Sequence, residues 1–117
     1  MAIDKKELAV AEAEKQKANG KYTITFKSPL TYNEKSYETL TFDFEKLTGR
    51  DALNIEDELA SIGKATIAPV FSGEYLVRMA AKACTEPVGA DIFDKMSISD
   101  YNRVRSAARS FLLKSES

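Results

Sequence analysis

With 117 residues, 44% of them hydrophobic, the chain can bury one contiguous core and lacks the length for two. Its 17 basic and 18 acidic side chains leave a formal net charge of −1, which disfavours non-specific attraction to nucleic acid or to an anionic membrane. It has no histidine, so the commonest general base, the usual partner of a serine or cysteine nucleophile and the imidazole metal ligand are all missing, and a protein-binding role is expected ahead of an enzymatic one.

Residues Asp4 to Ala18 are rich in Ala, Glu and Lys, good helix formers, with Ile3, Leu8 and Val10 as the only large apolar side chains nearby. Segment 1–20 is therefore expected to be helical or partly disordered, ahead of a single α+β domain over residues 21–117. This N-terminus lacks the continuous apolar stretch of a signal peptide, and no stretch approaches transmembrane length, so neither export nor membrane anchoring is expected.

After Asn19-Gly20, the alternation of Tyr22, Ile24 and Phe26 with Thr23, Thr25 and Lys27 predicts a strand with one buried face. Pro29 cannot donate a ladder hydrogen bond and is expected at the strand end or on an edge, before Leu30-Thr31-Tyr32 and a polar turn at Asn33-Glu34-Lys35. Leu40, Phe42 and Phe44 then share one face of a second strand, antiparallel to the first. Two or three such strands cannot stand alone in water, so three to four helices are expected to cover the hairpin or small three-stranded sheet.

Thr48 can cap the first of these helices, with Asp51 completing a capping box, a stripe of Ala52, Ile55, Leu59 and Ile62, and Gly63 as the stop. Beyond a linker through Pro69, Ser72 can cap a second helix that is apolar nearly all round, from Leu76 to Cys84, and is the expected central helix. Thr85-Glu86-Pro87 ends it, Asp91 to Met96 can form a short helical piece, and Ser97 caps the last helix, whose stripe is Tyr101, Val104, Ala108 and Phe111 or Leu112. Its other face carries Arg103, Arg105 and Arg109.

Few of these residues offer chemistry. The single cysteine, Cys84, sits in an apolar run that raises a thiol's pKa, so a structural role in a reducing compartment is expected. Asp91 and Asp94, and Glu56, Asp57 and Glu58, read as helix-start or solvated carboxylates rather than as metal ligands. Thr48-Gly49-Arg50-Asp51 lacks the lysine of a phosphate loop. No catalytic residue, cofactor or metal site is assigned. Tyr101 and Phe111 fall on the apolar stripe while the arginines lie mostly off it, which favours a solvated or partner-facing basic surface over an RNA site.

The order of features, from Ile24-Thr25-Phe26-Lys27-Ser28-Pro29-Leu30 through Leu40-Thr41-Phe42 and Thr48-Gly49-Arg50-Asp51 to Ile98-Ser99-Asp100-Tyr101 and Arg109-Ser110-Phe111-Leu112, resembles the tail assembly chaperone family of long-tailed bacteriophages, related to the small tail chaperones of phages P2 and Mu. Residues 1–20 lie outside the likeness. The resemblance implies a non-enzymatic helper in the host cytoplasm, absent from the mature virion, that binds the tape measure protein, keeps it soluble and helps recruit tail tube protein. It also implies self-association into rings, and that this short chain is the form without a frameshifted extension. A structural head-tail or tail component of the virion, or a small nucleic-acid-binding regulatory module, are the competing functions.

Two stretches are candidates for partner binding. One is the linker and central-helix entrance, Ile67, Val70, Phe71 and Tyr75; the other is the last helix at Arg105, Arg109, Phe111 and Leu112. For the apolar members ordinary core packing is the competing reading, and for the arginines plain solvation.

Overall fold

The computed structural model describes residues 21–115, and the expected N-terminal helix lies outside them. The architecture is α+β. Strands β1 (Lys21–Tyr32) and β2 (Lys35–Asp43) form an antiparallel hairpin, followed by helices α1 (Gly49–Ser61), α2 (Gly73–Ala83) and α3 (Ile98–Ser115), with 3-10 turns at Phe44–Lys46, Pro69–Phe71 and Ala90–Lys95.

The hairpin closes through Asn33 and Glu34, both at positive φ (49° and 65°), the backbone that a two-residue type I′ connection requires. Tyr22 pairs with Phe42 and Ile24 with Leu40, so the alternating apolar side chains meet on one buried face. Pro29 does not end the strand. The pairing jumps from Thr25↔Thr39 to Leu30↔Tyr37, placing Phe26 to Pro29 opposite Glu38 alone. The proline thus occupies an irregular stretch where its missing N–H costs no ladder bond. The irregularity also re-aims the side chains: on β2 burial switches from Leu40 and Phe42 to Tyr37, and Tyr32 joins the core.

Tyr32 pins the hairpin tip to the distal loop. Its hydroxyl donates to Asp91 Oδ1 at 2.6 Å and accepts from the Gly89 N–H at 3.2 Å. At the other end Phe44, expected to continue the strand, sits in a 3-10 turn but stays buried, stacked between Phe42 (6.2 Å) and Phe111 (5.4 Å). The outer edge of β2 is met by the chain leaving α2: Phe42 bridges Cys84, the Thr85 N–H donates to the Thr41 carbonyl at 2.8 Å, and the Thr41 N–H donates to Glu86 Oε2 at 3.2 Å.

Helix α1 starts at the expected capping box. The Thr48 N–H donates to Asp51 Oδ2 (2.8 Å) and the Asp51 N–H to Thr48 Oγ1 (3.4 Å), and the Thr48 backbone bond holds the Asp51 carboxyl below its ordinary pKa. It ends in a Schellman motif, with Gly63 at φ 74°, the Gly63 N–H on the Ala60 carbonyl and the Lys64 N–H on the Leu59 carbonyl. Ile55 and Leu59 are buried, but Ile62 is the C-cap and 53% exposed, because the chain turns away before it can join the stripe.

Helix α2 is central, as its all-round apolar surface predicts. Ser72 Oγ accepts from the Tyr75 N–H at 3.1 Å, and the helix packs against α1, α3, β2 and all three 3-10 turns. Helix α3 begins with Ser97 Oγ accepting from the Asp100 N–H at 3.1 Å and runs along β1, where Arg103 pairs with Asp100 and donates to the Thr25 carbonyl at 3.1 Å.

Candidate partner-binding surface

Between the Gly63 turn and Ser72 the chain has no long element to bury it. Pro69 starts a single 3-10 turn, in which the Phe71 N–H donates to the Ala68 carbonyl (3.0 Å) and the Ser72 N–H to the Pro69 carbonyl (3.1 Å). Ser72 then becomes the α2 cap, so the turn is rigidly joined to the central helix, and on its flank it packs against α3. This frame presents Ile67 and Phe71 outward, at 101% and 68% exposure.

Arg109 of α3 completes the surface. Its guanidinium carbon lies 5.3 Å from the centre of the Phe71 ring, a cation–π contact that ties the turn to the last helix. One helical turn earlier on the same edge is Arg105, half-buried, with its Nε buried and lacking a hydrogen-bond acceptor among the described residues. Another turn back, Tyr101 lies so close to Gly73 that a β-carbon built there would be 2.6 Å from its hydroxyl. This edge of α3 therefore follows the start of α2.

A shallow depression of about 450 Å³ runs from Lys64 through Ile67 and Phe71 to Glu74. Its charged margin is internally neutralised. Glu74 receives Lys64 at 3.1 Å and Arg78, and the Arg78 bond foremost holds its carboxyl below the ordinary range; Glu58 in turn receives Arg78 at 3.8 Å and Lys82 at 3.5 Å.

The structure brings together one member of each predicted stretch, Phe71 and Arg109, with Ile67 and Arg105 beside them, and separates the others. Val70 is half-buried. Tyr75 is only 5% exposed and belongs to the core, because Ser72 starts the helix with Tyr75 on its inner face. Phe111 and Leu112 are half-buried against the core, Phe111 on the Phe44 ring. Exposed Leu53, Ile98 and Leu113 were not singled out from sequence, although their positions off the apolar stripes carried the signal.

Cys84 has the structural environment expected of it. It is buried against β2, its S–H donates to Glu86 Oε2 at 3.2 Å, and burial pushes the thiol up to about 12. Among the described residues no three metal-capable side chains cluster, and no helix is long and apolar enough to cross a membrane.

Residues 23–113 match the family model of phage tail assembly chaperone proteins, E, or 41 or 14. No curated protein and no solved structure matches the chain. The family match runs from the first strand to the end of the last helix and takes in the capping box, the central helix and the Phe71–Arg109 contact. Covering well over half of the sequence, it establishes that the chain belongs to the phage tail assembly chaperone family.

Proposed function

We propose that the chain binds the tape measure protein of its phage, keeps it soluble in the host cytoplasm, helps recruit tail tube subunits and leaves before the particle is finished. The observation that carries this reading is the outward presentation of Phe71 on a turn braced by α2 and α3, with Ile67 exposed in the loop just before it. A protein that shields a long apolar-seamed helix must keep contact surface out of its own core, and a rigid apolar patch rimmed by charge meets that need. The family to which the chain belongs is one of assembly chaperones, not of enzymes.

The test is co-expression with the tape measure protein of the same phage, comparing its soluble fraction with and without this chain and with a Phe71→Ser variant. Solubilisation and co-elution on size exclusion by the wild type, and loss of both with Phe71→Ser, are expected. A tape measure protein that stays insoluble beside the wild-type chain refutes the mechanism, and detection of the chain in purified virions refutes its release.

A further inference from the structure

The cations of α2, of α3 as far as Arg109 and of the loop that precedes α2 fall into two groups. Lys64, Arg78 and Lys82 are neutralised by Glu74 and Glu58, and Arg103 by Asp100. Arg105 and Arg109 have no carboxylate within salt-bridge distance among the described residues. Arg109 rests on an aromatic face, which leaves its planar N–H edge available, and Arg105 holds a buried Nε without an acceptor. Unneutralised guanidinium groups beside exposed Ile67 and Phe71 form a surface that is half apolar and half anion-seeking.

Resting on the reading above, we propose that this surface takes one face of an amphipathic helix whose apolar seam is flanked by a carboxylate. The apolar side chains cover Ile67 and Phe71, and the carboxylate receives the forked donors of exposed Arg109, with the outer Nη groups of half-buried Arg105 adding positive charge beside it. Charge complementarity selects this occupant. A purely apolar seam would desolvate two guanidinium groups without giving them an acceptor, which disfavours it. A nucleic-acid strand would need a longer cationic track, whereas the neighbouring Lys64 and Arg78 are already held by Glu74.

The experiment uses the full chain and three synthetic amphipathic helical peptides with the same leucine seam, whose flanking position carries Glu, Gln or Lys, with binding read by fluorescence anisotropy. The Glu peptide is expected to bind at least about tenfold more tightly than the Gln peptide, as befits a hydrogen bond to a charged partner. Arg109→Glu is expected to reverse the order in favour of the Lys peptide, and Phe71→Ser to weaken all three. Circular dichroism melts establish that each variant is folded. Equal affinity for Glu and Gln peptides, or no binding by any, overturns the proposal. So does an oligonucleotide that competes through Arg109, or a concentration-dependent dimer that occludes the peptides, since either assigns the surface to another occupant.

Co-expression of the Arg105→Gln/Arg109→Gln double variant with the tape measure protein separates the two claims. If wild type and double variant solubilise it equally, the carboxylate contact fails and the chaperone mechanism stands. If the peptides show the charge preference but the tape measure protein is bound by neither, the chaperone mechanism fails and the recognition chemistry stands.

Discussion

Phe71 packs on α3 from outside and Phe111 lies within it, yet truncating them should have opposite consequences. Phe111 packs on Phe44, which stacks on Phe42, so Phe111→Ala opens the end of the core. A fully buried Phe→Ala change costs about 3–5 kcal/mol. A half-buried ring forfeits roughly half of that plus part of a stacking term of about 0.5–1.5 kcal/mol, giving about 2–3 kcal/mol. Phe71, 68% exposed, loses little buried area and one cation–π contact, worth about 0.5–1 kcal/mol. In urea titrations followed by circular dichroism, with an m-value of about 2 kcal/mol/M, the Phe111 variant should unfold about 1–1.5 M earlier than wild type and the Phe71 variant only about 0.25–0.5 M earlier. In the tape measure assay the order reverses: Phe71→Ala should lose binding while still folded. A Phe111 variant as stable as wild type, or a Phe71 variant destabilised by about 2 kcal/mol, would show that core and surface have been assigned the wrong way round.

Other perturbations probe other parts of the molecule. Glu34 holds a left-handed φ that disfavours any β-carbon, so Glu34→Gly should raise stability by about 0.5–1 kcal/mol in thermal melts, and a lower melting temperature would contradict the turn geometry. Asp51 and Glu74 have pKa values lowered from reference values of 3.8 and 4.5, so their contribution is present above those values and is lost as pH falls through the lower folded ones. Stability should therefore decline below about pH 4.5, and Asp51→Asn should flatten the lower part of that limb; an unchanged acid profile would mean that the capping box does not form in solution. Cys84, with its thiol pushed up to about 12, should resist thiol-specific reagents at pH 8 until the chain is unfolded, and rapid labelling of native protein would contradict its burial.

Local physics made much of this fold legible. Strict alternation put Tyr22 and Ile24 on the same buried face as their partners Phe42 and Leu40, and Thr48, Ser72 and Ser97 each announced a helix because a side-chain oxygen can satisfy only a nearby orphan N–H. The stretch around Pro29 was not legible, since four residues opposing one break the period on which the reading depends and bring Tyr32 and Tyr37 inward. Ile62 misled for a similar reason: spacing counts positions but does not show where the backbone leaves the helical path. Within the candidate surface, Phe71 and Tyr75 lie one helical turn apart in sequence, and only the Ser72 cap decides which faces water. The Phe71–Arg109 contact joins a turn to a distant helix, and no periodicity relates the two.

The engagement of Thr41 bears on how densely this protein can be packed in a cell. A two-stranded hairpin leaves both edges able to template another strand, the usual origin of sheet-driven aggregation. On β2 the outward N–H and carbonyl of Thr41 are already taken by Glu86 and Thr85, so an incoming strand cannot zip along that edge without first displacing both. The same three residues that fasten the chain leaving α2 to the sheet thus act as a stop against fibre growth along the β2 edge.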